Sequence, residues 1–169
     1  MNKIISILSI TLILSIVSIS GCTDSSTGNK TFSDGAMSFN YPSSFNSYSD
    51  DTNSSFYESI ANFADYDHHI RLSVFKNKTE ITLTEAKAAS ISKVKNYTKD
   101  EVLSVTTETN PNGIVVERYT FIDRTNPTSI SNVMLFKISN NIYVIGVDGP
   151  ESIKKKVTDT TNIVFQSIK

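Results

Sequence analysis

The densest group of side chains with metal-binding or acid–base chemistry is one five-residue segment. It reads Asp65-Tyr66-Asp67-His68-His69 and supplies two carboxylates and two imidazoles. Such donors suit a divalent ion, so Asp65, Asp67, His68 and His69 are candidate metal ligands. Adjacent strand residues point to opposite faces, which makes it difficult for both imidazoles to reach one ion. Because no known ligand spacing accompanies them, we favour a polar turn between strands, with a metal site as the alternative.

Sequence patterns that usually carry catalysis are missing. The chain has no Gly-x-Ser-x-Gly elbow and no glycine loop of the kind that cradles phosphate, and only 6 glycines in all. Paired acids occur at Asp50-Asp51 and Asp100-Glu101, in segments that predict loops or helix ends, where acids are ordinarily solvated. We therefore expect a protein that is not an enzyme and that uses no cofactor.

The single cysteine, Cys22, follows a segment with the order of a secretory signal peptide. Residues 1–21 begin with a basic side chain, continue as an uncharged apolar run over 4–19, and end in Ser20 and Gly21. Small residues at this point suit a cleavage site. The run is shorter than the ~20 residues that span a bilayer, so we favour cleavage over an uncleaved membrane anchor.

The residues around the cleavage site resemble a known signal. Ile19-Ser20-Gly21-Cys22 is similar to the lipobox of prokaryotic lipoproteins. By that resemblance, Cys22 becomes the new N-terminus and carries a thioether-linked lipid. Two acyl chains hold a protein firmly at a bilayer, whereas one holds it weakly. The resemblance implies a chain at the cell membrane, lipid-anchored on the extracytoplasmic face, with membrane lipid as a partner through Cys22.

Length and charge define one small domain with no electrostatic signal for nucleic acid. The 169 residues include 16 basic and 17 acidic side chains, and loss of Lys3 with residues 1–21 leaves a net charge of −2. Residues 22–31 hold Cys22 and a polar stretch, which predicts a flexible tether. Residues 32–169 are long enough for one domain that buries a core without disulfides.

Hydrophobic patterns predict the elements of this domain. Asp34-Gly35 predicts a hairpin turn, and Thr82 with Glu85 has the spacing of a helix-capping box. Strands are predicted near 56–64, 70–75, 102–109, 114–123, 133–139 and 142–147, and a second amphipathic helix after Pro150. Several middle strands are apolar on both faces and need cover on both. The expected fold is α+β: an antiparallel β-sheet of about six to eight strands with helices packed on its faces.

The start of the domain resembles a known family. Phe39-Asn40-Tyr41-Pro42-Ser43-Ser44-Phe45 is similar to the F-x-Y-P-x-x-W opening of PsbP-like domains, with Phe45 where tryptophan is commoner. The order of hairpin, two strands, helix, four strands and closing helix is similar too. The resemblance implies a PsbP-like sandwich, the Mog/PsbP fold, over residues 32–169. It carries over no functional residue.

We therefore expect a membrane-anchored extracytoplasmic lipoprotein whose non-catalytic PsbP-like domain binds or scaffolds a membrane or cell-surface protein. The alternative is a small-molecule or metal-ion carrier with a pocket against the sheet, and a weaker alternative is a surface hydrolase. The basic run Lys154-Lys155-Lys156 is interpreted as a solvated helix face. The less favoured alternative is a patch that binds lipid headgroups or acidic partners.

Overall fold

A computed structural model describes residues 28–50, 56–96, 100–124 and 128–169. Cys22 and residues 1–21, on which the signal-peptide and lipidation predictions depend, lie outside the described residues. The strands are β1 (Asn29–Ser33), β2 (Ser38–Pro42), β3 (Asn46–Ser47), β4 (Tyr57–Asp65), β5 (Ile70–Asn77), β6 (Asp100–Thr109), β7 (Val115–Asp123), β8 (Ser129–Ile138) and β9 (Asn141–Pro150); the helices are α1 (Leu83–Asn96) and α2 (Lys154–Ser167).

The strands form a seven-stranded sheet and a separate two-stranded hairpin. The strand order in the large sheet is β3-β4-β5-β9-β8-β7-β6, and every pair is antiparallel. β9 lies at the centre because it pairs with β5 on one side and with β8 on the other. The predicted α+β class and antiparallel sheet are confirmed.

The hairpin β1–β2 forms around the predicted turn. The Oδ1 atom of Asp34 accepts hydrogen bonds from the backbone N–H groups of Ala36 and Met37, at 2.9 and 2.8 Å. Gly35 has φ 87°, which glycine adopts without a steric penalty. Met37, Phe39 and Tyr41 are all buried, since alternate residues of a strand share one face.

Both faces of the large sheet are covered, as the two-sided apolar strands predict. On one face, Val157 and Val164 of α2 join a core that includes Leu72 and Ile145. On the other, Ala86 of α1 belongs to a smaller cluster of buried residues: Tyr119, Leu135 and Ile142. Neither helix, within the part of the chain that the structure describes, has the length and apolar content needed to cross a membrane.

The capping box of α1 is confirmed. The backbone N–H and hydroxyl of Thr82 donate to the Oε2 atom of Glu85, at 2.7 and 2.8 Å. In return, the N–H of Glu85 donates to the Oγ1 atom of Thr82 at 3.2 Å. This reciprocal pairing satisfies backbone donors that the first helical turn leaves free.

Several boundaries differ from the prediction, among them the start of β8, which is Ser129 and not residue 133. β1 begins at Asn29, before the predicted domain start at residue 32, because backbone pairing with β2 needs no apolar side chain. The short strand β3 lies after Pro42, where no strand is predicted, and it pairs with β4. β9 continues to Pro150, and a 3₁₀ turn over Glu151–Ile153 precedes α2, because the N–H of Glu151 bonds to the carbonyl of Thr128.

The sheet has two ends, which we name by the described start of the chain. At the proximal end, Asn29 pairs with Pro42, and the hydroxyl of Ser44 donates to Asp65 at 2.9 Å. At the distal end, Ser38 exchanges backbone hydrogen bonds with Lys169, at 2.9 and 3.0 Å. α2 therefore begins at the proximal end and finishes at the distal end.

Candidate functional site

An open groove lies at the proximal end of the sheet. Its volume is about 430 Å³. Residues from the loop after β3, from the β4–β5 turn and from strands β5 and β9 line it, among them Tyr48, Asp50, Tyr66, His69, Arg71 and Asp148. A concave surface of this size with a few converging polar groups is a default candidate for a binding site.

A row of three polar residues crosses the sheet beside the groove. Arg71 on β5 and Ser131 on β8 are the register partners of Asp148 on the central strand β9. The hydroxyl of Ser131 donates to the Oδ1 atom of Asp148 at 2.5 Å. The sheet register thus brings together three side chains that are far apart in sequence.

The acidic and the basic residue of this row lie in different environments. Burial raises the pKa of the Asp148 carboxyl above its ordinary value, while the Ser131 hydrogen bond and the positive charge of Arg71 act in the opposite direction. Arg71 itself is exposed. Its guanidinium carries five N–H donors in a planar fork, so the groove offers donors to a ligand with acceptor atoms.

Asp65, one of the predicted metal candidates, is buried and already engaged. Its carboxylate accepts from Ser44 at 2.9 Å and lies 2.9 and 3.0 Å from the Nδ1 atom of His68. The Nζ atom of Lys156 is 3.7 Å away. Burial alone would raise the pKa of Asp65, but the hydrogen bonds from His68 and Ser44 hold it below its ordinary value. Asp65 thereby organises the turn.

The other predicted metal candidates lie on that turn, residues 66–69, in agreement with the favoured interpretation. Asp67 and His69 are exposed, and His69 closes the turn with φ 54°. Within the described ranges, no three His, Cys, Asp or Glu side chains are grouped closely enough to hold a metal ion. The structure thus joins Asp65 to His68 and does not gather all four candidates around one point.

Two partial resemblances to hydrolase sites lie near the groove. Asp65 orients the His68 ring, as an acid does in a catalytic triad. Ser131, however, donates its hydroxyl directly to Asp148 and not to an imidazole. In a catalytic triad the serine gives its proton to an imidazole. Here the carboxylate of Asp148 occupies the position of that imidazole.

Sequence reasoning did not single out Arg71, Ser131 or Asp148. Arg71 lies within the predicted strand over 70–75, where it looks like an ordinary outward-facing position, whereas Ser131 and Asp148 lie just outside the predicted strands over 133–139 and 142–147. Only the cross-strand register places them side by side. The signal in the sequence is an acid at position 148 on a strand that is otherwise apolar up to that point, from Ile142 to Val147.

A second surface feature is the edge strand β6. Its exposed apolar side chains are Val102, Leu103 and Val105, and Val115 on the neighbouring strand is half exposed. Edge strands offer unpaired backbone groups to another chain. A carrier needs a concave pocket and a scaffold commonly uses an exposed apolar patch, and the described residues contain both.

The fold defines a class: an antiparallel sheet between helices, with a hairpin packed beside the closing helix. No family model matches the chain, and no curated protein does. Solved structures that are similar over most of it include a cyanobacterial and a mycobacterial protein. Cyanobacterial PsbP (CyanoP) from Synechocystis sp. PCC 6803 is 15% identical, with a TM-score of 0.63, and the match covers 88% of this chain and 95% of that one.

The second is LpqN, which is involved in cell envelope biogenesis of Mycobacterium tuberculosis. It is 9% identical, with a TM-score of 0.55, over 87% of this chain and 86% of that one. At such identities the likeness concerns the fold alone. The chain has a PsbP-like fold, which confirms the expectation drawn from the Phe39–Phe45 segment.

Proposed function

We propose that this chain is a lipid-anchored extracytoplasmic protein whose PsbP-like domain binds a membrane or cell-surface protein without catalysing a reaction. One observation carries the proposal. The groove opens at the proximal end, which is also the end at which Asn29 pairs with Pro42 and the described part of the chain begins. A partner in or on the membrane would meet this end of the domain first. LpqN, which has the same fold, is involved in cell envelope biogenesis.

The rim of the groove has the composition of a protein-binding surface. Arg71 and His69 are exposed, and Tyr66 is 62% exposed. Arginine and tyrosine are enriched among the residues that dominate binding energy at interfaces. The polar groups beneath them are held by neighbours, as Asp148 is by Ser131, and so form a fixed floor. A rigid floor with an exposed rim favours recognition over chemistry.

Crosslinking in intact membranes tests the partner. An Arg71→Ala variant is expected to reduce the crosslinked partner at least about fivefold, because truncating an arginine that dominates an interface costs more than about 1 kcal/mol. Lys137→Ala, an exposed cation on β8, is the matched control and should retain it. Loss of the partner in Val105→Thr but not in Arg71→Ala would place the contact on the β6 edge and refute the groove.

Mass spectrometry of the membrane fraction tests the anchor. The expected N-terminus is Cys22 with added lipid mass, and Cys22→Ser should release the domain from the membrane or block processing. Two acyl chains hold a protein far longer at a bilayer than one chain does. A native protein that still begins at Met1, or that carries no lipid and is freely soluble, would contradict the anchor.

The groove also favours the second candidate, a small-molecule or metal-ion carrier. Its volume of about 430 Å³ falls within the range of ordinary ligand pockets. A ligand that binds only the folded state raises the melting temperature. A thermal-shift screen with divalent ions and small polar ligands therefore separates the candidates. A rise that Arg71→Ala abolishes would favour the carrier.

A further inference from the structure

Several independent contacts place the first described residues at the proximal end. Asn29 is the register partner of Pro42, and the Nζ atom of Lys30 donates to the carbonyl of Phe45 at 2.9 Å. Residues 43–45 contact the β4–β5 turn through the hydrogen bond from Ser44 to Asp65. The chain that connects the domain to Cys22 therefore departs beside this turn.

The length of that connection limits where the domain can lie. Gly28 lies six positions after Cys22 in the chain. A fully extended chain spans at most about 3.6 Å per residue, so Gly28, at the proximal end, lies within about 22 Å of Cys22. β4 runs from Tyr57 near the distal end to Asp65, a length of about 26 Å at the usual rise per residue. The anchor thus holds one end of the sheet near the bilayer.

The proximal end presents side chains that suit a bilayer surface. Tyr66 is 62% exposed, and tyrosine rings favour the headgroup region of a membrane. Lys154 and Lys155 are exposed in the first turn of α2. Cations in that position oppose the helix dipole, so stability of the helix does not explain them.

The acids of this end offset part of the lysine charge, and Glu151 lies only three residues before Lys154. Asp65 is buried and held by Ser44 and His68. Asp159 pairs with Lys155 one helical turn further along α2. Asp50 and Asp67 are exposed, so the electrostatic attraction to anionic headgroups is modest. Because the connection to Cys22 is short, the domain stays at a high local concentration beside the bilayer. A modest attraction is then sufficient for contact with the headgroups.

We propose that the proximal end, through Tyr66, Lys154 and Lys155, rests on the bilayer surface and contacts anionic lipid headgroups. The proposal rests on the anchor at Cys22 given under the proposed function. It fixes the orientation of the domain, with the groove mouth near the headgroups and with the 110–113 turn and Lys169 directed away from the membrane. A partner that reaches the groove must then approach along the membrane surface.

Fluorescence tests this orientation directly, because the chain contains no tryptophan. Tyr66→Trp introduces a single reporter at the proximal end. Phe56→Trp is the matched control, since Phe56 is 56% exposed and its carbonyl bonds to Lys78 beyond the distal end of β5. The lipidated protein is reconstituted in vesicles of phosphatidylcholine and phosphatidylglycerol with brominated acyl chains. The expected result is a blue shift and at least twofold quenching in Tyr66→Trp, with neither in Phe56→Trp.

Flotation of the wild-type protein with the vesicles tests the anchor separately from the orientation of the domain. If it floats but both reporters behave alike, or Phe56→Trp is quenched more, the orientation is wrong and the anchor stands. If it does not float, both are wrong.

Charge variants measure the lysine contribution. In the Tyr66→Trp background, Lys154→Gln with Lys155→Gln should shift the docking equilibrium about fivefold per lysine at low salt. Lys137→Gln with Lys169→Gln removes the same charge at the distal end and should leave quenching unchanged. Equal effects of the two pairs would overturn the role of the proximal lysines.

Discussion

The two ends of the sheet use their polar side chains differently. At the distal end, the buried Asn110 joins two elements: its Nδ2 atom donates to the carbonyls of Phe165 and Ile168, at 3.2 and 2.7 Å. Its Oδ1 atom accepts from the N–H groups of Asn112 and Ile114, at 3.0 and 2.9 Å. One amide therefore closes both the C-terminus of α2 and the β6–β7 turn.

At the proximal end, only the inner layer of polar side chains is engaged in this way. Asp65 and Asp148 are held by neighbours, whereas Arg71, Tyr66 and Lys154 outside them are exposed. Distal polar groups stabilise the fold, and proximal ones retain hydrogen-bonding capacity for another molecule. Binding is therefore expected at the proximal end, and substitutions at the distal end should affect stability alone.

The largest effect is expected at the distal end. Asn110→Ala should lower the free energy of unfolding by about 3 kcal/mol, because it removes the hydrogen bonds to the carbonyl of Phe165 and the N–H of Ile114 and leaves the carbonyl of Ile168 with Asn112 alone. Urea titration of the purified domain measures the change. Asn140→Ala, at an exposed turn position, is the control and should cost less than about 0.5 kcal/mol. A loss below 1 kcal/mol in Asn110→Ala would contradict the role assigned to this amide.

The buried layer of the proximal end should also be sensitive to substitution, with a somewhat smaller loss of stability. A Cβ atom at Gly149 would lie 2.8 Å from the Cγ2 atom of Val157 and 3.3 Å from the Cγ1 atom of Ile70. Both neighbours are buried and β-branched, so they cannot rotate away easily. Gly149→Ala should therefore cost about 2 kcal/mol of stability in the same urea titration.

Gly146 offers the control for that substitution, since a Cβ there would meet nothing closer than 3.8 Å. Gly146→Ala should cost clearly less than Gly149→Ala. The double variant Gly149→Ala with Val157→Ala removes the clashing methyl and should show a cost smaller than the sum of its parts. Strict additivity would mean that the close approach of β9 to α2 is not the cause.

Asp148 should make the proximal end sensitive to pH. Burial raises its pKa above the ordinary 3.8, so the folded state holds the proton more tightly than the unfolded chain does. Stability is then highest below pH 3.8 for this group and falls as pH rises through the raised pKa. Asp148→Asn cannot ionise, and it should be about 1 kcal/mol more stable than the wild type at pH 7.

Urea titration across the pH range checks the sign. The advantage of Asp148→Asn should shrink as the pH falls through the raised pKa, because the wild-type carboxyl then becomes protonated as well. Ser131→Ala removes a hydrogen bond that lowers the pKa of Asp148. In that variant the pKa of Asp148 should rise further, and the free energy of unfolding should change over a wider pH range. If Asp148→Asn gains more stability over the wild type at pH 4 than at pH 7, folding lowers the pKa of Asp148 and does not raise it.

These two ends also show what a sequence can reveal. The hairpin at Asp34-Gly35 and the cap at Thr82 were predictable because a local turn or a four-residue spacing determines each of them. The row Arg71–Asp148–Ser131 was not, because it depends on the pairing of three strands distant in sequence. Asp65 was found as a chemical candidate, but its partners Ser44 and Lys156 come from elements that only the fold brings together.

The smallest effect on stability should come from the proximal lysines, and it sharpens the contrast between the ends. Lys155 pairs with Asp159 at 2.6 Å, but the two side chains are 88% and 55% exposed. Exposed ion pairs contribute little because water screens them and two long side chains must be ordered. Lys155→Gln should therefore change the unfolding free energy by less than about 0.5 kcal/mol. If the same substitution weakens vesicle contact while stability is unchanged, this lysine serves an external surface; a loss above 1 kcal/mol would instead assign it to the fold.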